Sequence, residues 1–225
     1  MGQKVSPLLL RIGFIKNWSS LWFANRQDYA KFIAEDAKIR TYIKEKFRQA
    51  SISKIVIERV GVARVKIYTA RPGVIIGRHG ADIDRLKADL GKLINKELII
   101  DIIEVKNPAL DAQIVAQNIA FQLEKRVAYR RAIKRSIEQA MSAGAKGIKI
   151  SCGGRLAGAE ISRTEKYKEG KIPLQTFRAD IDYGFAEALT TYGLIGIKTW
   201  IYKGDVIDKK RATLGSSGPE AVKSN

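Results

Sequence analysis

Hydrophobic and polar positions in the first half of the chain predict one helical region followed by two strands. Residues 29–47 carry apolar side chains three and four positions apart, as expected for helices with one buried face. Asp36 would cap the second of two helical pieces there. Residues 54–60 and 63–69 are rich in Ile and Val, and Gly61 between them favours an antiparallel hairpin.

After this hairpin the pattern predicts a glycine loop between two helical pieces and then a third strand. The segment from Arg71 to Gly73 ends the hairpin, and the sequence Gly77-Arg78-His79-Gly80 forms the loop. The next helix starts after Ala81 with Asp82 as its N-cap, and residues 98–105 form the strand. The predicted order is therefore helix, strand, strand, helix, glycine loop, helix, strand.

The second half of the chain predicts two helices followed by four mostly antiparallel strands. Asn107 and Pro108 suit the N-cap and the first position of a helical region that runs to about Ala143, with a break near Val127. The strand candidates are residues 148–152, 160–167, 178–189 and 195–202. From Asp205 the chain turns polar, and we expect a disordered tail. The pattern as a whole predicts an α+β protein, and the length suggests one or two domains.

The net charge of the chain indicates which class of molecule it binds. The 225 residues include 41 Lys and Arg against 23 Asp and Glu, a formal net charge of +18, which points to nucleic acid or an anionic membrane surface. The uncharged runs at residues 5–10 and 188–197 are too short to cross a membrane. One cysteine, Cys152, excludes an internal disulfide, and one histidine leaves too few ligands for a His/Cys zinc site. We expect a soluble, cytoplasmic protein with no membrane partner.

The glycine loop is the first candidate for binding. Two glycines three residues apart let a backbone approach closely, and the following helix offers free N–H groups. Arg78 adds a cation within the loop, His79 is a loop residue or a phosphate contact, and Arg71 and Arg85 flank the loop. In this order of elements the loop indicates the phosphodiester clamp of a KH module of the second type. A tight turn between helices explains the same residues equally well.

The second candidate is a cluster of cations at residues 125–135. This stretch holds six cations and no acid, whereas a merely solvated helix would interleave Glu with Lys. At about 100° per residue, four of the cations share one helix face, while Tyr129 and Ile133 lie on the opposite face and should pack on the strands. Phosphates would neutralise this repulsion, so we infer RNA binding by Arg130, Arg131, Lys134 and Arg135, joined by Lys125 and Arg126.

No segment supports catalysis. Gly153 and Gly158 have the spacing of a phosphate-binding P-loop, but Ala159 and Glu160 stand where Lys and Ser or Thr are needed. This segment is better interpreted as a glycine-rich connection, from which Arg155 and Arg163 could contact RNA. Asp180 and Asp182 share a strand face, yet Arg178 can neutralise them and a third metal ligand is missing. We therefore expect no enzyme, no cofactor, no metal and no small-molecule substrate.

Several long motifs in order carry a family resemblance. They are MGQKV at the start, WFAN at 22–25, TARPGVIIGRHG at 69–80, RRAIKR at 130–135, GGRLAGAEISRTE at 153–165, RADIDYG at 178–184 and TTYGLIGIKTWIYKG at 190–204. Over about residues 1–204 the chain is similar to the bacterial family of the third protein of the small ribosomal subunit. The arm departs from the family pattern: Ser6 replaces His, and Leu8 to Leu10 stand where Asn-Gly is usual.

The resemblance implies an α+β fold of two α/β-layered domains and a place in the ribosome. It implies an N-terminal arm at 1–25, a type II KH domain at 26–107, a family-specific domain at 108–204 and a polar tail at 205–225. It implies rRNA binding in the head of the small subunit, near the tenth and fourteenth small-subunit proteins. With the fourth and fifth proteins, the family lines the channel through which mRNA enters, and its basic helix holds and helps unwind mRNA. Lys4 and Arg11 in the arm are further candidate rRNA contacts.

Two other functions remain open at this point. A free RNA chaperone or assembly factor would use the KH loop and cycle on and off particles. A nuclease would use Asp180 and Asp182 to hold a metal.

Overall fold

The computed structural model describes residues 4–94 and 97–206 and shows two four-stranded sheets, each with helices on one face. The first sheet combines parallel and antiparallel pairs. The second sheet is antiparallel throughout. The predicted α+β class with two layered units is confirmed.

The N-terminal unit has the predicted order of elements. These are β1 (Ser20–Leu21), α1 (Arg26–Lys46), β2 (Ile52–Val60), β3 (Val62–Thr69), α2 (Pro72–Ile76), α3 (Ala81–Ile94) and β4 (Leu98–Glu104). Strands β2 and β3 form the predicted hairpin around Gly61, and β4 pairs with β3 in parallel. Strand β1 comes from the predicted arm and pairs with β2 in parallel. The arm sequence has no alternation that would have predicted this strand.

Alternation along β3 explains which face of this sheet is covered. Val65 and Ile67 are fully buried, whereas Arg64 is exposed and Lys66 is only partly buried. The buried residues join Ile57 of β2, Ile43 of α1 and Leu90 of α3 in one apolar cluster. Removing this apolar surface from water is the main favourable contribution to folding of the unit.

The C-terminal unit packs two helices against one face of its sheet. Its elements are α4 (Ala112–Glu124), α5 (Tyr129–Ser142), β5 (Gly147–Gly154), β6 (Arg163–Gly170), β7 (Ala179–Thr190) and β8 (Gly193–Asp205). The strands lie in the order β6-β5-β8-β7. Ile150 and Cys152 of β5 are buried in one cluster with Ile119 of α4 and Ile133 of α5. Strand β7 passes so close to α4 that a Cβ at Gly184 would overlap the backbone of Ala112.

Asp36 does not cap a helix, contrary to the prediction. It lies inside the continuous helix α1 and is almost fully buried. Its carboxylate forms an ion pair with Arg59 at 2.6 Å and accepts hydrogen bonds from Ser20 and Trp22 of the arm. A buried carboxylate needs such partners, and they come from residues that the local helical pattern cannot show.

Of the two other predicted caps, Asp82 was wrong, and Asn107 precedes Pro108 as predicted but only at a short turn. Asp82 lies within the first turn of α3 instead of preceding it. Asn107 and Pro108 open only a 3₁₀ turn at Pro108–Leu110, after which Asp111 caps α4. The Asp111 carboxylate accepts hydrogen bonds from the N–H groups of Gln113 and Ile114, both at 3.1 Å. The predicted break near Val127 is present, because α4 ends at Glu124 and α5 begins at Tyr129.

The arm and the two units are joined by polar contacts. Ser53 of β2 donates a hydrogen bond to the Asp111 carboxylate, and Gln117 of α4 donates one to the Ile52 carbonyl at 3.1 Å. Lys16 of the arm forms an ion pair with Asp180 of β7 at 2.7 Å. Apart from Asp205 and Val206, the predicted disordered tail lies outside the described residues.

Candidate nucleic-acid interface

Helix α5 has one buried face and one basic face. Tyr129, Ala132, Ile133, Ile137 and Ala140 are buried in the core as predicted. The basic face, formed by Arg130, Arg131, Lys134 and Arg135, is exposed. Within the described part of the chain, the side chains of the last three form no ion pair or hydrogen bond. The helix therefore presents a row of unneutralised cations to solvent.

The N-terminus of α5 lacks the features that ordinarily stabilise a helix start. Its N-cap is Ala128, which has no capping side chain, and its first turn has no acid. Helix α4, by contrast, is capped by the Asp111 carboxylate. Cations near a helix N-terminus oppose the helix dipole, so their presence here is unfavourable for the isolated protein. The free N–H groups and the cations together form a site for an anion.

A hydrogen-bonded cluster extends this surface from α5 onto β6. The hydroxyl of Tyr129 donates to Glu165 at 2.8 Å and accepts from Arg130 at 3.1 Å and from Arg163 at 3.3 Å. The hydrogen bond from Tyr129 is the main cause that lowers the pKa of Glu165, and Tyr167, Arg130 and Arg163 add to it. Two cations are thereby fixed beside the start of the helix. Lys125 and Arg126 lie in the exposed turn that precedes it.

The glycine loop has a backbone that only glycine adopts easily at its first position. Gly77 has φ +70°, and a Cβ there would overlap the carboxylate of Asp82. His79 has φ +54° and is exposed, and Gly80 has φ +82°. The loop therefore reverses the chain sharply between α2 and α3, as both the clamp and the tight-turn interpretations require.

Charge around the glycine loop is mixed. Arg71, Arg78 and Arg85 are exposed around the loop. The Asp82 carboxylate lies at the N-terminus of α3 and is 3.8 Å from the guanidinium of Arg85. This acid occupies the favourable end of the helix dipole, so a phosphate would bind chiefly on the Arg78 side.

Arg11 was predicted to contact rRNA, and its burial contradicts this. The side chain is fully buried and donates hydrogen bonds to four carbonyls at 3.1 Å or less, those of Pro7, Leu174, Thr176 and Ala179. The guanidinium fastens the arm to the start of β7 instead of facing solvent. We therefore withdraw Arg11 from the candidate RNA contacts.

Lys4 and Arg155, two other predicted RNA contacts, differ in how far they are exposed to solvent. Lys4 is exposed. Arg155 is only partly exposed, because its guanidinium donates to the Ala159 carbonyl at 2.8 Å and lies 5.6 Å from the centre of the Tyr192 ring. The main function of Arg155 in the isolated chain is thus to hold the turn after β5.

Two family models match this chain. One describes the C-terminal domain of ribosomal protein S3 and matches residues 119–201, and the other describes a KH domain and matches residues 38–110. Full-length relatives decide the family. The small ribosomal subunit protein uS3 of Desulforamulus reducens is 56% identical over 221 residues, which cover 98% of this chain and 100% of the relative. The chain belongs to the uS3 family. The uS3 protein of Carboxydothermus hydrogenoformans is 56% identical over 98% of the chain and 100% of the relative. That of Thermodesulfovibrio yellowstonii is 59% identical over 92% of the chain and 95% of the relative.

Membership of the uS3 family settles the class of function. The chain is a ribosomal structural protein and not an enzyme. Within the described residues, no group of three or more His, Cys, Asp or Glu side chains could hold a metal ion. The same part of the chain has no helix long and apolar enough to span a membrane.

Asp180 and Asp182 have structural partners in this uS3-family chain. Asp180 pairs with Lys16. Asp182 accepts a hydrogen bond from the Ala112 N–H at 3.2 Å and lies 3.6 Å from Lys203. We had expected Arg178 to neutralise them, but it pairs with Asp205 at 3.3 Å. A bulge between Asp180 and Ile181 interrupts the alternation from which a shared strand face was predicted for the two carboxylates.

The hydrogen-bonded connection between α5 and β6 could not be predicted from the sequence. Tyr129 was assigned only to the packing face, although its hydroxyl joins Arg130, Arg163 and Glu165. The alternation along β6 would place Glu165 on the helix-covered face, but nothing local indicates which helix residue it meets. A hydrogen bond between residues 36 positions apart requires the folded register.

Proposed function

We propose that this uS3-family chain binds small-subunit rRNA in the head of the subunit and lines the channel through which mRNA enters. Helix α5 would hold incoming mRNA and help unwind it. The observation that carries the proposal is the row of unpaired, exposed cations at the uncapped start of α5. Such an arrangement is unfavourable without a polyanion and favourable with one.

Helix α5 would act without chemistry of its own. Fixed cations bind the phosphates of strands that have already separated and so oppose their re-pairing. The mRNA strands would then stay separated after each step that the ribosome takes along the message. Arg131, Lys134 and Arg135 would make these contacts directly, while Arg130 and Arg163 extend the surface through Tyr129.

The glycine loop would bind rRNA in this proposal. Gly77 and Gly80 allow the phosphate backbone to approach, and Arg78 and His79 offer donors. Arg71 and Arg85 would contact neighbouring phosphates, as would Lys4 in the arm. The salt dependence of phosphate binding predicts that these contacts weaken as ionic strength rises.

The proposal includes the position of the protein. We assign residues 1–25 to the arm, 26–107 to the KH domain, 108–204 to the C-terminal domain and 205–225 to the tail. The protein would be cytoplasmic and ribosome-bound, next to the tenth and fourteenth small-subunit proteins. The fourth and fifth proteins would complete the channel.

Translation of a structured message tests the function of α5. Ribosomes carrying Arg131→Gln, Lys134→Gln and Arg135→Gln together should slow at a stable mRNA hairpin and translate an unstructured message at the normal rate. The matched control is Lys31→Gln, Lys38→Gln and Lys44→Gln, which removes three exposed cations from α1. Equal rates through the hairpin for the α5 variant and this control would refute the function proposed for α5.

A further inference from the structure

The face of the C-terminal sheet opposite α4 and α5 carries a second concentration of cations. Register places these side chains together, because residues that alternate along paired strands share a face. We call this the outer sheet face; its exposed or partly exposed side chains include Lys149 of β5, Lys166 and Lys168 of β6, Tyr183, Phe185 and Glu187 of β7, and Lys198 and Trp200 of β8. Beyond Trp200 the face is covered, because Ile181 and Tyr202 are buried and Ile172 and Leu174 pack against their cluster. The helices cover the other face, so the outer sheet face is separate from the surface of α5.

The lysines of the outer sheet face are not neutralised within the described residues. None of the four forms an ion pair there with a carboxylate. Lys149 and Lys168 are directly opposite each other across β5 and β6, and Lys166 and Lys198 flank Ser151 from either side. Like charges directly opposite on a sheet are destabilising. Burial lowers the pKa of Lys149, and the nearby charges of Lys4, Lys166 and Lys168 lower it further.

Aromatic side chains alternate with these lysines. The Tyr183 and Trp200 rings are 5.4 Å apart, and the Lys149 ammonium is 5.1 Å from the centre of the Trp200 ring. Phe185 lies opposite Lys198 and is 42% exposed. An exposed phenylalanine beside a lysine adds little to the folding of the sheet, but it offers a flat surface for a nucleobase.

We propose that the outer sheet face binds a single-stranded segment of RNA. Lys166, Lys168 and Lys198 would contact phosphates, and the exposed ring of Phe185 would stack a base. Trp200 packs against the buried cluster that covers the rest of this face and would support the surface from below. Open antiparallel sheets that combine aromatic rings with cations bind single strands in this way, because the unpaired bases reach the rings. A duplex would keep its bases away from the rings, and a membrane surface would use only the charge. The inference rests on the proposed RNA-binding function of the chain but not on the mRNA function of α5.

Binding of the full chain to labelled oligo(U) of about twelve nucleotides tests this inference, since that length spans a single-strand site. The variant is Lys166→Gln, Lys168→Gln and Lys198→Gln together, and the α1 variant Lys31→Gln, Lys38→Gln and Lys44→Gln is the matched control. Loss of three phosphate contacts should reduce the slope of log affinity against log salt by about 2. The α1 control should leave both the affinity and the slope close to those of the wild type.

Phe185→Leu separates stacking from charge. It keeps an apolar side chain but removes the ring, so oligo(U) affinity should fall about fivefold or more with an unchanged salt slope. Oligo(U) containing 4-thiouridine should crosslink to the peptide that contains Phe185. Thermal melting of each variant should be no lower than that of the wild type, because the substituted side chains are exposed and Lys168→Gln removes the repulsion with Lys149.

Two results would overturn the inference and leave the proposed function intact. Oligo(U) binding that is lost in the α5 variant but unchanged in the outer-face variant would assign the contacts to α5 alone. Unchanged oligo(U) binding by an outer-face variant that no longer enters small subunits would make this face a protein-docking surface. If neither variant alters the binding of oligo(U) relative to the α1 control, both this inference and the RNA contacts proposed for α5 are wrong.

Discussion

The guanidinium of Arg11 is buried between the arm and the C-terminal sheet, where it donates hydrogen bonds to backbone carbonyls instead of to water. All three guanidinium nitrogens donate to carbonyls, the shortest bond being 2.6 Å to Ala179. Hydrogen bonds to a charged group contribute more than neutral ones, and each carbonyl left without a donor has a desolvation cost. Arg11 therefore stabilises the contact between the arm and the C-terminal sheet.

Arg11→Met should lower the free energy of unfolding by about 3 kcal/mol or more, because an apolar side chain of similar length leaves the carbonyls unpaired. Urea denaturation measures this change. The matched control is Arg64→Met, whose exposed ion pair with Asp101 at 3.6 Å should contribute within about 0.5 kcal/mol. An Arg11→Met protein as stable as this control would contradict the structural function of Arg11.

Cys152 has no exposed surface, and burial raises the pKa of its thiol to about 12. The folded protein then holds the proton through a pH range in which the unfolded chain, with an ordinary thiol pKa of 9.0, has released it. The thiol's contribution to stability is complete below pH 9. It decreases as the pH rises from 9 toward about 12.

Urea denaturation at pH 8 and at pH 10 tests this dependence. Between pH 9 and about 12 the thiol should reduce the free energy of unfolding by up to about 1.4 kcal/mol per pH unit. Cys152→Ala should lose this part of the pH dependence while other groups continue to titrate. If the two proteins decline equally between these pH values, the thiol is not shielded as described.

Helices α4 and α5 differ in how their N-termini are satisfied. Helix α4 has the Asp111 cap, whereas α5 begins after Ala128 with two arginines in its first turn. Arg130 and Lys134, and likewise Arg131 and Arg135, repel each other at i,i+4 spacing. Stability and RNA binding thus make opposite demands on the residues of α5.

Removing the charges of α5 should therefore not destabilise the protein. Together, Arg131→Gln, Lys134→Gln and Arg135→Gln should raise the free energy of unfolding by up to about 1 kcal/mol, because two like-charge pairs disappear. Urea denaturation at low salt would show the difference best. A loss of more than 1 kcal/mol would mean that these cations make structural contacts, and the translation defect would then need another explanation.

At the scale of elements, local pattern predicted the strands and helices well and their caps poorly. The alternation of Val65 and Ile67 identified β3, and the helical spacing of Ile133 and Ile137 identified the buried face of α5. Asp36 was misassigned because Arg59, 23 residues away, holds it inside α1. The buried ion pair of Asp36 depends on a distant partner, whereas periodicity depends only on neighbours.

At the scale of the whole molecule, the arm connects both layered units. Its strand β1 extends the N-terminal sheet at β2, and its Arg11 is bound at the start of β7. The sequence showed the net charge of +18 and the basic helix, but not that a second basic surface covers the outer sheet face. That surface comes from four lysines on three strands, which only the register of β6, β5 and β8 brings together.

As a member of the uS3 family, this chain should be a permanent component of the small ribosomal subunit. Sedimentation of the tagged protein from lysate through a sucrose gradient at high salt measures this directly. We expect one copy of the protein per small subunit, retained when the salt is raised. Release into the light fractions would contradict the claim and would instead indicate a free RNA chaperone that binds the particle transiently.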